Sequence, residues 1–117
     1  MATHYVYKLI EPLSGAFYFG RRSTILCDDP VQDAGYMGGG CWPMRARKEG
    51  VKLVKTIVKT FHDKDSAAKY EARLIRRHRH NVLCMNLDEI YLMKSTLLYT
   101  PLSDWASKLR NKVLRPC

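Results

Sequence analysis

The stretch from His4 to Gly20 constrains the fold of this chain more than any other. Residues 4–11, HYVYKLIE, alternate in character and are rich in β-forming side chains, and residues 16–20, AFYFG, read as a returning strand. Between them Pro12-Leu13-Ser14-Gly15 is turn chemistry, so the segment predicts a β-hairpin. A four-residue turn makes Glu11 face Ala16 and sets Tyr18 opposite Leu9. Side chains alternate between the faces of a sheet, so Tyr7 and Tyr18 share one face as diagonal neighbours roughly 7 Å apart. A turn one residue shorter or longer would break that parity.

The next segment, residues 21–41, is polar and irregular, and Gly38-Gly39-Gly40 is unsuited to a helix interior. Pro43 suits a first helical position and Gly50 the position just past a helix end, which predicts a short basic helix over MRARKE. Val51 to Phe61 is dense in β-branched residues and predicts a third strand, with Lys52, Lys55 and Lys59 on a solvated face. The clearest helix runs from Ser66 to about Asn81, with Asp63 and Asp65 at its N-terminal end and Arg76, Arg77, Arg79 and His80 at its C-terminal end. Ala67, Tyr70, Leu74, Ile75 and His78 form its apolar stripe, with His78 read as a packing residue. Glu71 falls on the same stripe, which is unexpected because a buried, unpaired carboxylate is costly.

Residues 87–117 have further helical character. Leu102, Trp105, Ala106, Leu109 and Val113 make an apolar stripe, with Lys108, Arg110, Lys112 and Arg115 mostly on other faces. Such a helix packs on its own core or contacts DNA or a second subunit. The expected architecture is α+β: a small three-stranded antiparallel sheet flanked by helices over residues 1–87, and a helical C-terminal extension over 88–117 packed on the same domain.

A chain of 117 residues suits one compact domain. Its formal net charge of +9 points to a polyanionic partner. No apolar run approaches the ~20 residues of a membrane span, and the N-terminus has no signal-peptide pattern. A cytoplasmic protein is expected, acting in the host cytoplasm if phage-encoded. Cys27, Cys41, Cys84 and Cys117 form no CxxC pair and read as free thiols in a reducing compartment. His78, His80 and Cys84 are close in sequence but lack the paired spacing of a structural zinc site.

With these features placed, the chain resembles the GIY-YIG nuclease superfamily. Tyr5-Val6-Tyr7 looks like the GIY element and Tyr18-Phe19-Gly20 like the YIG element, with the family's spacing of ten residues, 8–17, between the two tyrosines. Ala67 to Ile75, AAKYEARLI, is similar to the family's AxxxExxLI helix, and Cys84-Met85-Asn86-Leu87 to its later asparagine motif. YFGRRST followed by YMGGG resembles a phage and mobile-element, homing-endonuclease-like subgroup. The resemblance covers about residues 5–87. Two departures stand out: Tyr5 replaces the first glycine of GIY, and no helix pattern directly follows YFG to carry the family's phosphate-binding arginine.

The resemblance implies a metal-dependent endonuclease acting on double-stranded DNA; a monomer or homodimer with no membrane partner is expected. Tyr7 would be the general base and Tyr18 would hydrogen-bond nearby. Glu71 would bind a single Mg²⁺, with Mn²⁺ as a substitute. Asn86 would position Glu71 or a backbone strand. The phosphate-binding arginine is open: Arg22 first, then Arg21, from the strand end, or Arg45 or Arg47 from the short helix. Arg45, Arg47 and Lys48 with Arg73, Arg76 and Arg77 are the expected DNA-binding cations. Tyr36 and Gly38 to Gly40 read either as an approach to the phosphate backbone or as a plain loop. Two alternatives are a catalytically idle nuclease fold used as a nucleic-acid-binding or host-takeover module, and a zinc-held binding protein.

Overall fold

The hairpin forms in the register its turn dictates. In the computed structural model, which describes residues 2–81 and 83–86, β1 (Thr3–Ile10) and β2 (Phe17–Thr24) pair antiparallel, with Ile10 opposite Phe17, Leu9 opposite Tyr18 and Tyr7 opposite Gly20. The Glu11 N–H donates to the Ala16 carbonyl at 2.8 Å and the Gly15 N–H to the Glu11 carbonyl at 2.9 Å. Gly15 sits at φ +79°, in a region that costs a residue with a Cβ roughly 1–2 kcal/mol. The Glu11 carboxylate is buried, yet it accepts from the Ser14 N–H at 2.6 Å and the Ser14 hydroxyl at 2.7 Å, so its burial is compensated.

Several boundaries differ from expectation: the third strand begins at Val54 rather than Val51, the main helix runs over Lys64–His78 rather than from Ser66 to about Asn81, and two further differences bear on the site. β2 does not stop at Gly20 but continues through Arg21 and Arg22 to Thr24, where the sequence predicts a loop. Pairing with Thr3–Val6 satisfies that backbone, which local composition does not reveal. The short helix α1 (Cys41–Lys48) begins ahead of Pro43, which lies in the first turn where its missing N–H is harmless. Gly50 follows the helix at φ +73°, as its expected role requires.

The third strand, β3 (Val54–Phe61), pairs with the other side of β1 and completes an α+β fold with sheet order β2-β1-β3. Its lysines correct the expectation of a common solvated face. The register shifts between Val6 and Tyr7, which face Lys59 and Ile57, so Val58 is an extra residue in a bulge. The bulge reverses parity. Lys55 lies opposite Leu9 on the tyrosine face, whereas Lys59 lies opposite Val6 on the other face, near Phe61 and Tyr70.

Each face of the sheet has its own core. On one, Tyr5, Tyr7, Leu9 and Tyr18 pack with Trp42 and Ala46 of α1 and with Met85. On the other, Phe17 and Phe19 pack against Leu74 and Ile75 of α2 (Lys64–His78), as the helix stripe predicts. His78 also packs there, its ring centroid 5.7 Å from that of Phe17 and 5.1 Å from that of Phe19. Asp63 caps α2, its carboxylate accepting from the Ser66 N–H at 2.7 Å and hydroxyl at 2.8 Å. Complete burial of Trp42, Tyr5, Tyr7, Leu9 and Met85 stabilises the fold by about 1.5–3 kcal/mol for each large apolar side chain.

Residues 83–86 run along the outer edge of β2. The Phe17 N–H donates to the Leu83 carbonyl at 2.9 Å and the Met85 N–H to the Phe17 carbonyl at 2.8 Å, which covers part of an exposed strand edge. The expected C-terminal extension, with its stripe of Leu102, Trp105, Ala106, Leu109 and Val113 and its cations Lys108, Arg110, Lys112 and Arg115, lies outside the described residues. Among the described residues, no helix is long and apolar enough to cross a membrane.

Candidate active site

Tyr7 and Tyr18 share a face, as hairpin parity requires, and both are nearly buried at 2 % and 9 % exposure. The Tyr7 ring lies over Gly20. A Cβ at position 20 would fall well inside van der Waals contact with the Tyr7 Cζ and hydroxyl oxygen, so the glycine is needed for close approach. Tyr36, from the loop after β2, meets Tyr7 edge-on with ring centroids 5.8 Å apart. Tyr18 stacks on Trp42 at 6.2 Å. Burial first, then the Tyr36, Tyr18 and Glu71 groups around it, push the Tyr7 hydroxyl well above the ordinary phenol range. In the free protein Tyr7 is therefore a neutral phenol at pH 7.

Glu71 approaches from the opposite side of β2. It projects from α2, whose packing residues cover the phenylalanine face, and its side chain remains 22 % exposed. Arg21 shares that face, its Nε 3.5 Å from Glu71 Oε1. Arg21 and Arg22 thus serve opposite faces of one strand. Among the described residues no three or more His, Cys, Asp or Glu side chains cluster as metal ligands. A single, partly exposed carboxylate is nevertheless a suitable hard-oxygen donor for Mg²⁺, which keeps several waters and commonly takes one or two carboxylates with substrate phosphates.

A polar network at the site includes a residue that no motif announces. Asp33 ends a 3-10 turn, Pro30–Asp33, whose start is capped by Asp29 accepting from the Val31 N–H at 3.1 Å. The Asp33 Oδ2 accepts from the Tyr5 hydroxyl at 2.5 Å and from Arg22 Nε at 3.1 Å. Lys55 Nζ donates to the Asp33 carbonyl at 2.9 Å and to the Tyr5 hydroxyl at 2.8 Å. The Arg22 guanidinium lies 3.9 Å from the centre of the Tyr36 ring.

Charges follow these contacts. Burial would raise the Asp33 carboxyl, but hydrogen bonds from Tyr5 and Arg22 and the charges of Arg22 and Lys55 outweigh it and hold it below the usual carboxylate range. Burial lowers Lys55, against the pull of Asp33. Tyr5 is pushed far up by burial and by its bond to Asp33.

Sequence reasoning missed Tyr5, Asp33 and Lys55. Strand parity from Tyr18 through Gly20 to Arg22 would have put Arg22 on the tyrosine face had β2 been extended. Asp33 sits in an irregular loop without periodicity, and Lys55 was misplaced by the bulge.

Asn86 takes the strand-holding alternative of its two expected roles. Its Oδ1 accepts from the Phe19 N–H at 2.8 Å and its Nδ2 donates to the Phe19 carbonyl at 2.5 Å, so the amide acts as one more rung on β2. The expected DNA-binding cations fall into two groups. Arg45, whose Nε lies 3.4 Å from Glu49, with Arg47 and Lys48, belongs to α1 on the tyrosine side. Arg73, Arg76 and Arg77 are exposed on α2, on the opposite side of the sheet. They do not form a single stripe.

Comparison with protein-family models, with curated proteins and with solved structures finds no match. The functional reading therefore rests on the geometry and chemistry of these side chains.

Proposed function

We propose that the chain is a metal-dependent DNA endonuclease of the GIY-YIG type that hydrolyses phosphodiester bonds, encoded by a phage or mobile element. The observation that carries this reading is the convergence at β2 of three motifs, two from the hairpin and one from the distant α2. Tyr7 lies over Gly20 on one face of the strand, and Glu71, arriving from the opposite side, pairs at 3.5 Å with Arg21, the next residue of the same strand.

In this reading Tyr7, in its deprotonated form, takes a proton from the attacking water. The hydroxyls of Tyr18 and Tyr36 orient it. The Arg22 fork neutralises charge on the non-bridging phosphate oxygens. Glu71 would hold a Mg²⁺ or Mn²⁺ ion, which supplies Lewis acidity at the phosphate and the leaving oxygen. Asn86 keeps β2 in place beneath the site. A monomer has one such site and nicks; cutting both strands requires a homodimer or two successive events.

One observation favours the catalytically idle alternative: Tyr7 is only 2 % exposed and its hydroxyl is held neutral. Incubating a supercoiled plasmid with Mg²⁺ separates the two readings. The nuclease reading expects nicked or linear product from the wild type and none from Glu71→Ala, with both proteins binding duplex DNA equally. An idle binding module gives binding without product in either protein. If about five phosphates are neutralised, the log–log salt slope of binding is near −4.5.

A further inference from the structure

Asp33 belongs to no motif of the sequence, yet one side chain from each of the three strands converges on it. Tyr5 of β1 and Arg22 of β2 donate to its carboxylate, and Lys55 of β3 donates to its carbonyl. All three strand residues occupy the tyrosine face. The convergence fixes the Arg22 guanidinium in two ways. Its Nε is committed to Asp33 at 3.1 Å, and its plane is covered by Tyr36 at 3.9 Å. The Nη edge is the part of the fork that a phosphate can grip. Tyr36 also packs edge-on against Tyr7, so the ring that fixes the guanidinium is the ring beside the candidate base.

We infer that Asp33 is a positioning residue, which holds Arg22 so that its terminal nitrogens grip a phosphate group beside Tyr7. The inference rests on the nuclease reading for the identity of that phosphate as a DNA phosphodiester. The charge count suits an anion: one carboxylate, Asp33, faces two cations, Arg22 and Lys55, so the cluster keeps a net positive charge. The arrangement also matters for rate. An arginine already held in one orientation loses little freedom when it binds, and small displacements of such a group are expensive in the transition state.

A merely structural role for Asp33 would be to tie its loop to the sheet through Tyr5. The two roles separate in a double-mutant cycle on the full chain, with plasmid cleavage as readout. Asp33→Asn is expected to lower the cleavage rate about 10- to 100-fold with KM changed by less than about threefold. In an Arg22→Gln background the same substitution is expected to have no further effect on rate, because Asp33 acts through Arg22. Fully additive losses, or an Asp33→Asn rate within about twofold of wild type, would overturn the assignment.

A wild-type protein that cuts no plasmid sinks the nuclease reading alone. The Asp33 assignment is then decided by titrating inorganic phosphate against the Arg22 Nε–H resonance. A saturable shift in the wild type, weakened about tenfold or more in Asp33→Asn, supports it. No shift in the wild type, or the same shift in both proteins, overturns it. Should Asp33→Asn not fold, Asp33→Glu, which keeps the charge but moves the acceptor, replaces it in both assays with the same direction of effect expected. Wild-type behaviour of that variant overturns the assignment.

Discussion

The Tyr7 ring passes over Gly20, the residue directly opposite it in the hairpin, at a distance that leaves no room for a methyl group. The glycine is not there for backbone freedom, since Gly15, Gly38 and Gly50 are the described glycines with positive φ. It is there because a side chain crosses it.

Gly20→Ala is expected to force the Tyr7 ring aside. The ring is confined, with Tyr5 at 6.0 Å and Tyr36 at 5.8 Å between centroids. Overpacking of this kind typically costs about 1–3 kcal/mol, and a displacement on the order of 1 Å at a reacting group costs about 10²-fold in rate. Urea unfolding and plasmid cleavage measure the two effects. An alanine variant with wild-type stability and rate would mean that the contact constrains neither the fold nor the site.

Tyr7→Phe removes the hydroxyl and leaves the packing ring. Loss of a general base is expected to lower the rate by about 10²–10⁴, with a smaller loss for Tyr18→Phe. Burial holds the Tyr7 phenol above its ordinary pKa, so the active, deprotonated fraction grows with pH throughout the neutral range. The wild-type rate is therefore expected to rise by about one log unit per pH unit from about pH 6 to about pH 9. A flat profile, or an unchanged rate in Tyr7→Phe, would demote Tyr7 to a packing residue.

Asn86→Ala is expected to act on stability rather than on chemistry. It leaves the Phe19 N–H and carbonyl without their side-chain partner, at a cost of about 1–3 kcal/mol. The urea midpoint should fall accordingly, while the rate per folded molecule changes by less than about tenfold. A large rate loss in a variant of undiminished stability would return Asn86 to the catalytic machinery.

Acid should selectively remove the contribution of Asp33. Its carboxyl titrates below its ordinary value of 3.8 when folded, so the charged form stabilises the fold. That stabilisation is complete above the unfolded value and is lost as pH falls through the folded one. Asp63 is lowered in the same direction by its bonds to Ser66, but it is present in both proteins and cancels in a comparison. The difference in urea midpoint between the wild type and Asp33→Asn is expected to shrink from about pH 5 to about pH 2. A difference that stays constant over this range would show that the Asp33 charge does not contribute.

Features with local causes were readable in the sequence. The hairpin register follows from a four-residue turn and the two-residue alternation of a strand, which is why Tyr7 and Tyr18 were legible as same-face neighbours. The apolar stripe of α2 and the anomalous Glu71 follow from a single 3.6-residue period, and the Asp63 cap from the residue types that suit a helix start. The remainder arises from long-range pairing and packing. Period-2 counting puts Lys55 and Lys59 on one face, but pairing of β3 with β1 inserts Val58 as an extra residue and sends them to opposite faces. Asp33 has no periodicity to be read from, and its role arises only when β1, β2 and β3 are side by side. That Glu71 reaches β2 from one face while the Tyr7 ring crosses it on the other arises only once α2 has packed on the phenylalanine face of the sheet β2-β1-β3. Strand order is set by contacts between residues far apart in the chain, and no local pattern encodes it.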